Sequence, residues 1–234
     1  MAYKTVPLNE SQVGKYVDID GDGIPEGIIF ADLAVGGEGC FGYDQGTYKI
    51  TALKEVMKDY TKEYVIKGKF SHKLNGEQEM LTPILDGEDR FYIMALNDVG
   101  KNEHCWYYKA SFKGMLDYEK ATSETFGSGK QNTLNMIEKW NKGNYGTQNS
   151  DDMWRLIQKQ VDDGWFVPSI DEWAAFAGQL GITKSNYSSK GLSGWYWSSS
   201  QYNTNNAYYV NLFDGLVNIN YVNSPNYVRL SATF

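Results

Sequence analysis

"GWFVPSIDEWAAFAGQLG" (164–181) changes backbone conformation at its fifth residue, Pro168. Up to that point the segment reads as extended chain, because a proline pushes the residue before it away from helical geometry. Ser169 then offers an N-cap oxygen and Glu172 follows three residues later, the spacing of a capping box. Trp173, Phe176 and Leu180 recur at helical intervals, and Gly181 is suited to end the helix. The stretch therefore predicts an extended entry followed by a helix with an aromatic stripe.

Downstream the pattern becomes all strand. "GWYWSSS" (194–200), "AYYVNLFDG" (207–215), "LVNINYV" (216–222) and "NYVRLSATF" (226–234) read as an antiparallel meander. Asp214-Gly215 favours a type I′ turn between the central pair, and Pro225 should break the ladder before the last strand. At period two, Tyr208, Val210, Leu212 and Val217 share a core-like face, while Tyr209, Asn211, Phe213, Leu216 and Asn218 share the other. A solvated face is expected to carry Lys, Glu and Thr. This one carries Asn, Tyr, Phe and Leu, with almost no charge between 201 and 226. Asn is depleted in strands, so its abundance here needs a reason other than strand formation. Tyr gives rigid amphipathic contact and Asn adaptable hydrogen bonds, the chemistry of a binding paratope.

Upstream, "KYVDIDGDGIPEGIIFADLAV" (15–35) alternates apolar and polar residues around a Gly/Asp turn and predicts a long β-hairpin. Between 47 and 111, "YKITALKEV", "EYVIKGKF", "RFYIMALND" and "HCWYYKASF" predict short strands or mixed elements, separated by turn-rich "KLNGEQE" and "LDGED". "NTLNMIEKWNKG" (132–143) and "SDDMWRLIQKQVDDG" (150–164) predict helices, the second with Ser150 as its N-cap.

The chain has 234 residues, 41% of them hydrophobic and 22% charged, enough to bury a substantial core. No run approaches the roughly 18 apolar residues of a membrane span, and the first twelve residues lack the pattern of a secretory signal. A net charge of −7 with no basic patch disfavours a nucleic-acid partner. Cys40 and Cys105 are too few for a disulfide scaffold and too far apart in sequence for a C-x-x-C site, so they read as reduced, partly buried thiols.

Several motifs invite specific chemistry. Asp18, Asp20 and Asp22 before Gly23 match the first half of an EF-hand loop. The twelfth position, which should hold a bidentate Glu, is Ile29, so a hairpin turn is the expectation and calcium the alternative. "GEGCFG" (37–42) spells G-x-G-x-x-G but leads into no amphipathic helix, and "GSGK" (127–130) lacks P-loop context. His72 and His104 stand alone, with no Ser or Cys elbow to make a nucleophilic site.

Three stretches, "GWFVPSIDEWAAFA", "GWYWSSS" and "NYVRLSATF", together resemble the C-type-lectin-type fold shared by formylglycine-generating enzymes and the variable proteins of diversity-generating retroelements. The Asn/Tyr-laden tail is similar to the second group, especially members from gut bacteria and their phages. The resemblance spans residues 164–234 and extends to the N-terminal hairpin; residues 46–146 match neither group. Formylglycine-generating enzymes act through a pair of cysteines in the C-terminal part of the fold. This chain has none after Cys105, so no enzymatic activity is expected.

In the variable proteins, a reverse transcriptase errs at template adenines. Asn codons of the AAY type then become Tyr, Ser, Asp, Thr, Ile, Phe, Leu, Val or Pro and never a stop. The resemblance thus marks Asn203, Asn205, Asn206, Asn211, Asn218, Asn220, Asn223 and Asn226 as unaltered template positions, and Tyr202, Tyr209, Phe213, Asp214, Leu216 and Tyr221 as altered ones. Trp195, Trp197 and residues 227–234 would be scaffold, with Arg229 pairing a buried acid.

The expectation is a single α+β domain over 1–234 of C-type-lectin type, with 46–146 an insertion and 195–234 the variable-region sheet. It would bind a variable protein or glycan receptor on a target cell, from a phage tail or a bacterial cell surface, with no cofactor, no nucleic acid and no membrane insertion. The alternatives are a non-diversified carbohydrate-binding module and a calcium-dependent lectin using Asp18, Asp20 and Asp22.

Overall fold

A computed structural model describes residues 4–42 and 46–234 and shows a mixed α+β protein. Its largest sheet has seven strands in the order β1 (Lys4–Thr5), β6 (Glu63–His72), β7 (Gly76–Leu85), β2 (Tyr16–Val17), β3 (Gly27–Asp32), β8 (Phe91–Ala95) and β14 (Ser231–Thr233). Neighbours are antiparallel except β2 and β7. Two small ladders join β4 (Gly37–Cys40) to β5 (Thr47–Ile50), and β9 (His104–Cys105) to β13 (Pro225–Asn226).

The N-terminal hairpin forms but is short rather than long, since its first strand is two residues and only Tyr16 pairs with Ile28 and Val17 with Gly27. Its second strand is buried along its whole length, however, rather than half solvated. Ile28 and Phe30 enter the main core while Ile29 enters a smaller core with Val17, Tyr64 and Phe234 on the far side of the sheet. Segment 73–79 also departs from expectation. Only the turn precedes Gly76, whose φ of +64° suits glycine, and "GEQE" is already strand β7. Its acidic residues, depleted in strands, are held there by cross-strand partners: Lys69 pairs Glu77 at 2.8 Å, and Lys15 pairs Glu79. Residues 46–146 thus supply five strands, three of the shared sheet and one of each flanking ladder, together with helices α1 (Lys54–Tyr60), α2 (Ala110–Lys113), α3 (Tyr118–Ala121) and α4 (Gly129–Asn141).

The segment beginning at Ser150 folds as two short helices, α5 (Met153–Leu156) and α6 (Gln158–Asp162), broken at Ile157. Ser150 is not the cap. Asp152 occupies that position, and its carboxylate accepts from Tyr108 N (2.7 Å), Trp140 Nε1 (2.8 Å) and Asn149 N (2.9 Å), tying three segments together instead of capping its own helix.

Helix α7 (Ile170–Gln179) begins as the sequence requires. Ser169 Oγ accepts from Glu172 N at 3.2 Å, and Glu172 accepts from Ser169 N at 2.7 Å. Gly181, just past Leu180, has a φ of +60°. The helix lies between the large sheet and a three-stranded meander, β10 (Trp195–Gln201), β11 (Asn206–Asn211) and β12 (Leu216–Tyr221). Trp173 stacks on Tyr196 at 4.8 Å and donates to Trp197 O. Phe30, Phe176, Val210 and Val217 complete this core. A second core, built from Trp106, Trp140, Trp154 and Met136, covers part of the meander's other side.

The last strand does not belong to the antiparallel meander. Tyr227 bridges Tyr196 of β10 in parallel sense, and the chain then leaves, so that β14 pairs with β8 through Ser231↔Met94 and Thr233↔Tyr92. Pro225, rather than merely breaking a ladder, sits opposite Cys105 in the two-residue pair where no long ladder needs its missing N–H. The turn between β11 and β12 is likewise not type I′. That turn requires positive φ at both central residues, whereas among the described residues positive φ occurs only at glycines. Four residues, 212–215, span the gap, with Gly215 at +73° and its N–H on Asn211 O at 2.9 Å.

Candidate recognition surface on the C-terminal meander

Register decides which tail residues can act together. Trp195 lies opposite Asn211, Trp197 opposite Tyr209, Tyr209 opposite Asn218 and Ala207 opposite Asn220. One face therefore carries Trp195, Trp197, Tyr209, Asn211, Leu216, Asn218 and Asn220. Tyr196, Tyr208, Val210, Val217 and Ile219 turn toward α7. Asn206 and Tyr221, opposite each other, have the parity of this inner face. They reach solvent because they lie at its edge, where Tyr221 is 60% exposed.

The outer face is not uniformly open. Trp197 and Ala207 are buried in the second core, and Tyr209 packs on it with its ring 6.2 Å from Trp197. Burial raises the Tyr209 phenol above its ordinary pKa. Trp195, expected as scaffold, is exposed and lies beside Phe213, centroids 6.3 Å apart. Phe213, 59% exposed in the connecting loop, and half-buried Leu216 complete an aromatic and aliphatic pad with Asp214 and Asn218 at its margin.

Two residues expected in the binding set are interior. Asn211, 4% exposed, donates Nδ2 to Asp214 Oδ2 (2.8 Å) and accepts from Asp214 N (2.9 Å), so it shapes the loop that presents Phe213. Asn226, 3% exposed, sits in the β9–β13 ladder opposite His104. Asn203 also works on the backbone, accepting from Asn205 N and Asn206 N at 2.9 Å each. Tyr202, Asn205 and half-buried Asn223 join it at this end, where Tyr202 stands edge-on to Tyr208 at 5.2 Å. A six-residue strand separates the two ends by about 17 Å, so the positions form a strip along the edge strand β12.

Around the strip, a groove of about 530 Å³ runs beside Asp214 and Gly215, bounded by Phe41, Ile182 and Lys184. Cys40 borders it and is exposed rather than partly buried; its thiol donates to Gly42 O at 3.1 Å. Cys105 donates to Asn223 O at 3.2 Å, and burial beside Asp152 pushes its thiol up to about 11. Arg229 does pair an acid, Asp98, at 2.7 Å. Asp98, a residue the sequence left unassigned, also accepts from Tyr196 and Ser193 hydroxyls.

Outside the tail, the hairpin loop brings carboxylate oxygens of Asp18, Asp20, Asp22 and Glu26 within 4.8 Å of one another. Glu26 escapes a search for the twelfth EF-hand position; it stands at the ninth, and the hairpin rather than a helix folds it inward. Asp18 already accepts from Gly21 N, Gly23 N and Thr82 Oγ1.

The architecture defines a class, an α+β protein with several mostly antiparallel sheets, and among the described residues no helix is long and apolar enough to cross a membrane. No family model and no curated protein sequence matches the chain. Among solved structures it is similar to a fimbrial protein from Bacteroides ovatus, 17% identical, with a TM-score of 0.39 over 62% of this chain and 36% of that one. The chain thus spans about a third of that protein's length.

Proposed function

We propose that this protein is a non-enzymatic recognition module of C-type-lectin-type fold whose C-terminal strip is diversified by adenine-directed mutagenesis and attaches a phage particle or bacterial surface to a receptor. The observation that carries this reading is the division of labour along β11 and β12. Val210, Val217 and Tyr208 are buried, while the interleaved and flanking positions most exposed to solvent, Phe213, Asp214, Asn218 and Tyr221, all belong to the set reachable from Asn codons. Buried residues fix strand register, so outward ones can be exchanged at little cost to the fold. The DNA tests it. A reverse-transcriptase gene nearby and a second copy of the 3′ sequence, differing only where that copy has adenine, is the expected finding; a sequenced neighbourhood with neither removes the diversification.

The acidic hairpin favours a second reading, a calcium-dependent lectin. Asp18, Asp20, Asp22 and Glu26 supply hard oxygen ligands of the kind calcium takes. Calcium at millimolar concentration should then raise the melting temperature and a chelator reverse it; an unchanged melting curve rejects this reading.

A further inference from the structure

Beside Tyr202, the segment 118–125 and the end of β10 enclose a cleft of about 430 Å³, lined by Tyr118, Glu119, Thr122, Glu124, Gln201 and Tyr202 among others. None of the described residues lining it is basic. Its walls are fixed by hydrogen bonds: Gln201 N donates to Thr122 Oγ1 (2.8 Å), Ser200 Oγ and Asn132 Nδ2 to Ser123 O (2.8 and 2.6 Å), and Ser169 Oγ to Thr125 O (3.0 Å). Tyr118 donates to Glu119 at 3.3 Å, and burial and the neighbouring Glu124 raise the Tyr208 phenol above its ordinary pKa. Asp171 lies close enough to Glu124 that burial and this second charge push its carboxyl up to about 6.

Two carboxylates and two phenol rings in a preformed recess are complementary to a flat cation. Carboxylates accept a guanidinium in bidentate fashion and ring faces attract it. We propose that this cleft receives an arginine side chain of the protein recognised by the tail. The inference rests on reading the tail as a recognition surface and narrows it to partners that present a cationic residue next to the strip. The fixed groups, Tyr118, Glu119 and Glu124, would then anchor the partner, while the exchangeable residues, Tyr202 at the cleft among them, tune the grip and set the partner's identity.

Titration calorimetry at low ionic strength, with an end-blocked tri-arginine peptide and its neutral tri-citrulline isostere, tests this. The full chain should bind tri-arginine at least about tenfold more tightly than tri-citrulline. Glu119→Gln and Glu124→Gln should each weaken binding several-fold, Tyr202→Ala should weaken it and Tyr202→Phe preserve it, all with the wild-type melting temperature as the check on folding. The double variant Asp162→Asn/Asp163→Asn removes two exposed charges that do not line the cleft and should bind as wild type. Equal loss in that variant, or equal binding of tri-citrulline, overturns the proposal. Neither result bears on diversification, which the DNA tests alone.

Discussion

Arg90 and Asp32 illustrate what single residues do here. Both are fully buried, and Arg90 Nε and Nη2 each donate to a different Asp32 oxygen at 2.8 Å. Asp32 also accepts from Gln12 N and Ala34 N, so the chain before β2, the end of β3 and the start of β8 meet at one carboxylate. Removing one partner strands a charge in the interior. Arg90→Met should therefore cost about 3–5 kcal/mol in urea unfolding, and adding Asp32→Leu should recover much of it; no recovery would mean the backbone bonds to Asp32 matter more than the charge. Neither residue stands out in the sequence, because an ion pair 58 positions apart leaves no local trace.

At the scale of the element, α7 joins fold to site. Its capping box was legible at Ser169 and Glu172, since both partners lie within one turn. Its environment was not. Glu172 is buried and also accepts from Gly127 N and Gly129 N, and burial pushes it up to about 7. Asp171, at about 6, has a folded pKa above its unfolded value near 3.8. Such an acid contributes its stability in full below about pH 3.8 and loses it as pH rises through about 6. Asp171→Asn should consequently melt higher relative to wild type at pH 7.5 than at pH 4. An offset independent of pH would show that burial and the neighbouring Glu124 do not raise the Asp171 carboxyl. The loop 212–215 teaches a related lesson: Asp-Gly signals a type I′ turn, yet Asn211 caps a four-residue loop instead, because its side chain out-competes the local preference of Asp214.

For the whole molecule, two cores sandwich the meander and leave only its edge and loops free. Phe213→Ala and Tyr221→Ala remove exposed rings and should each shift stability by less than about 0.5 kcal/mol. Tyr209→Ala should cost several-fold more, since its ring packs on the second core. Thermal melts separate the three; a large loss at Phe213 would place it in the core. The parity of the tail, read from sequence, assigned Val210 and Val217 inward correctly and missed that Trp106 and Trp154 cover Trp197 from the other side.

What the sequence determined by itself was the local grammar: the start and end of α7, the N-terminal hairpin and the alternation of β11 and β12. Each is encoded within a few residues by a hydrogen-bonding side chain, a glycine or a period of two. Only the tertiary structure decided that residues 231–233 pair with β8, that β2 runs parallel to β7, that Asn211 and Asn226 turn inward, and that Glu119, Glu124 and Tyr202 share a cleft. Those arrangements depend on partners such as Asp98 and Arg229, 131 positions apart, whose meeting follows from burying several sheets around common cores rather than from any short stretch of chain.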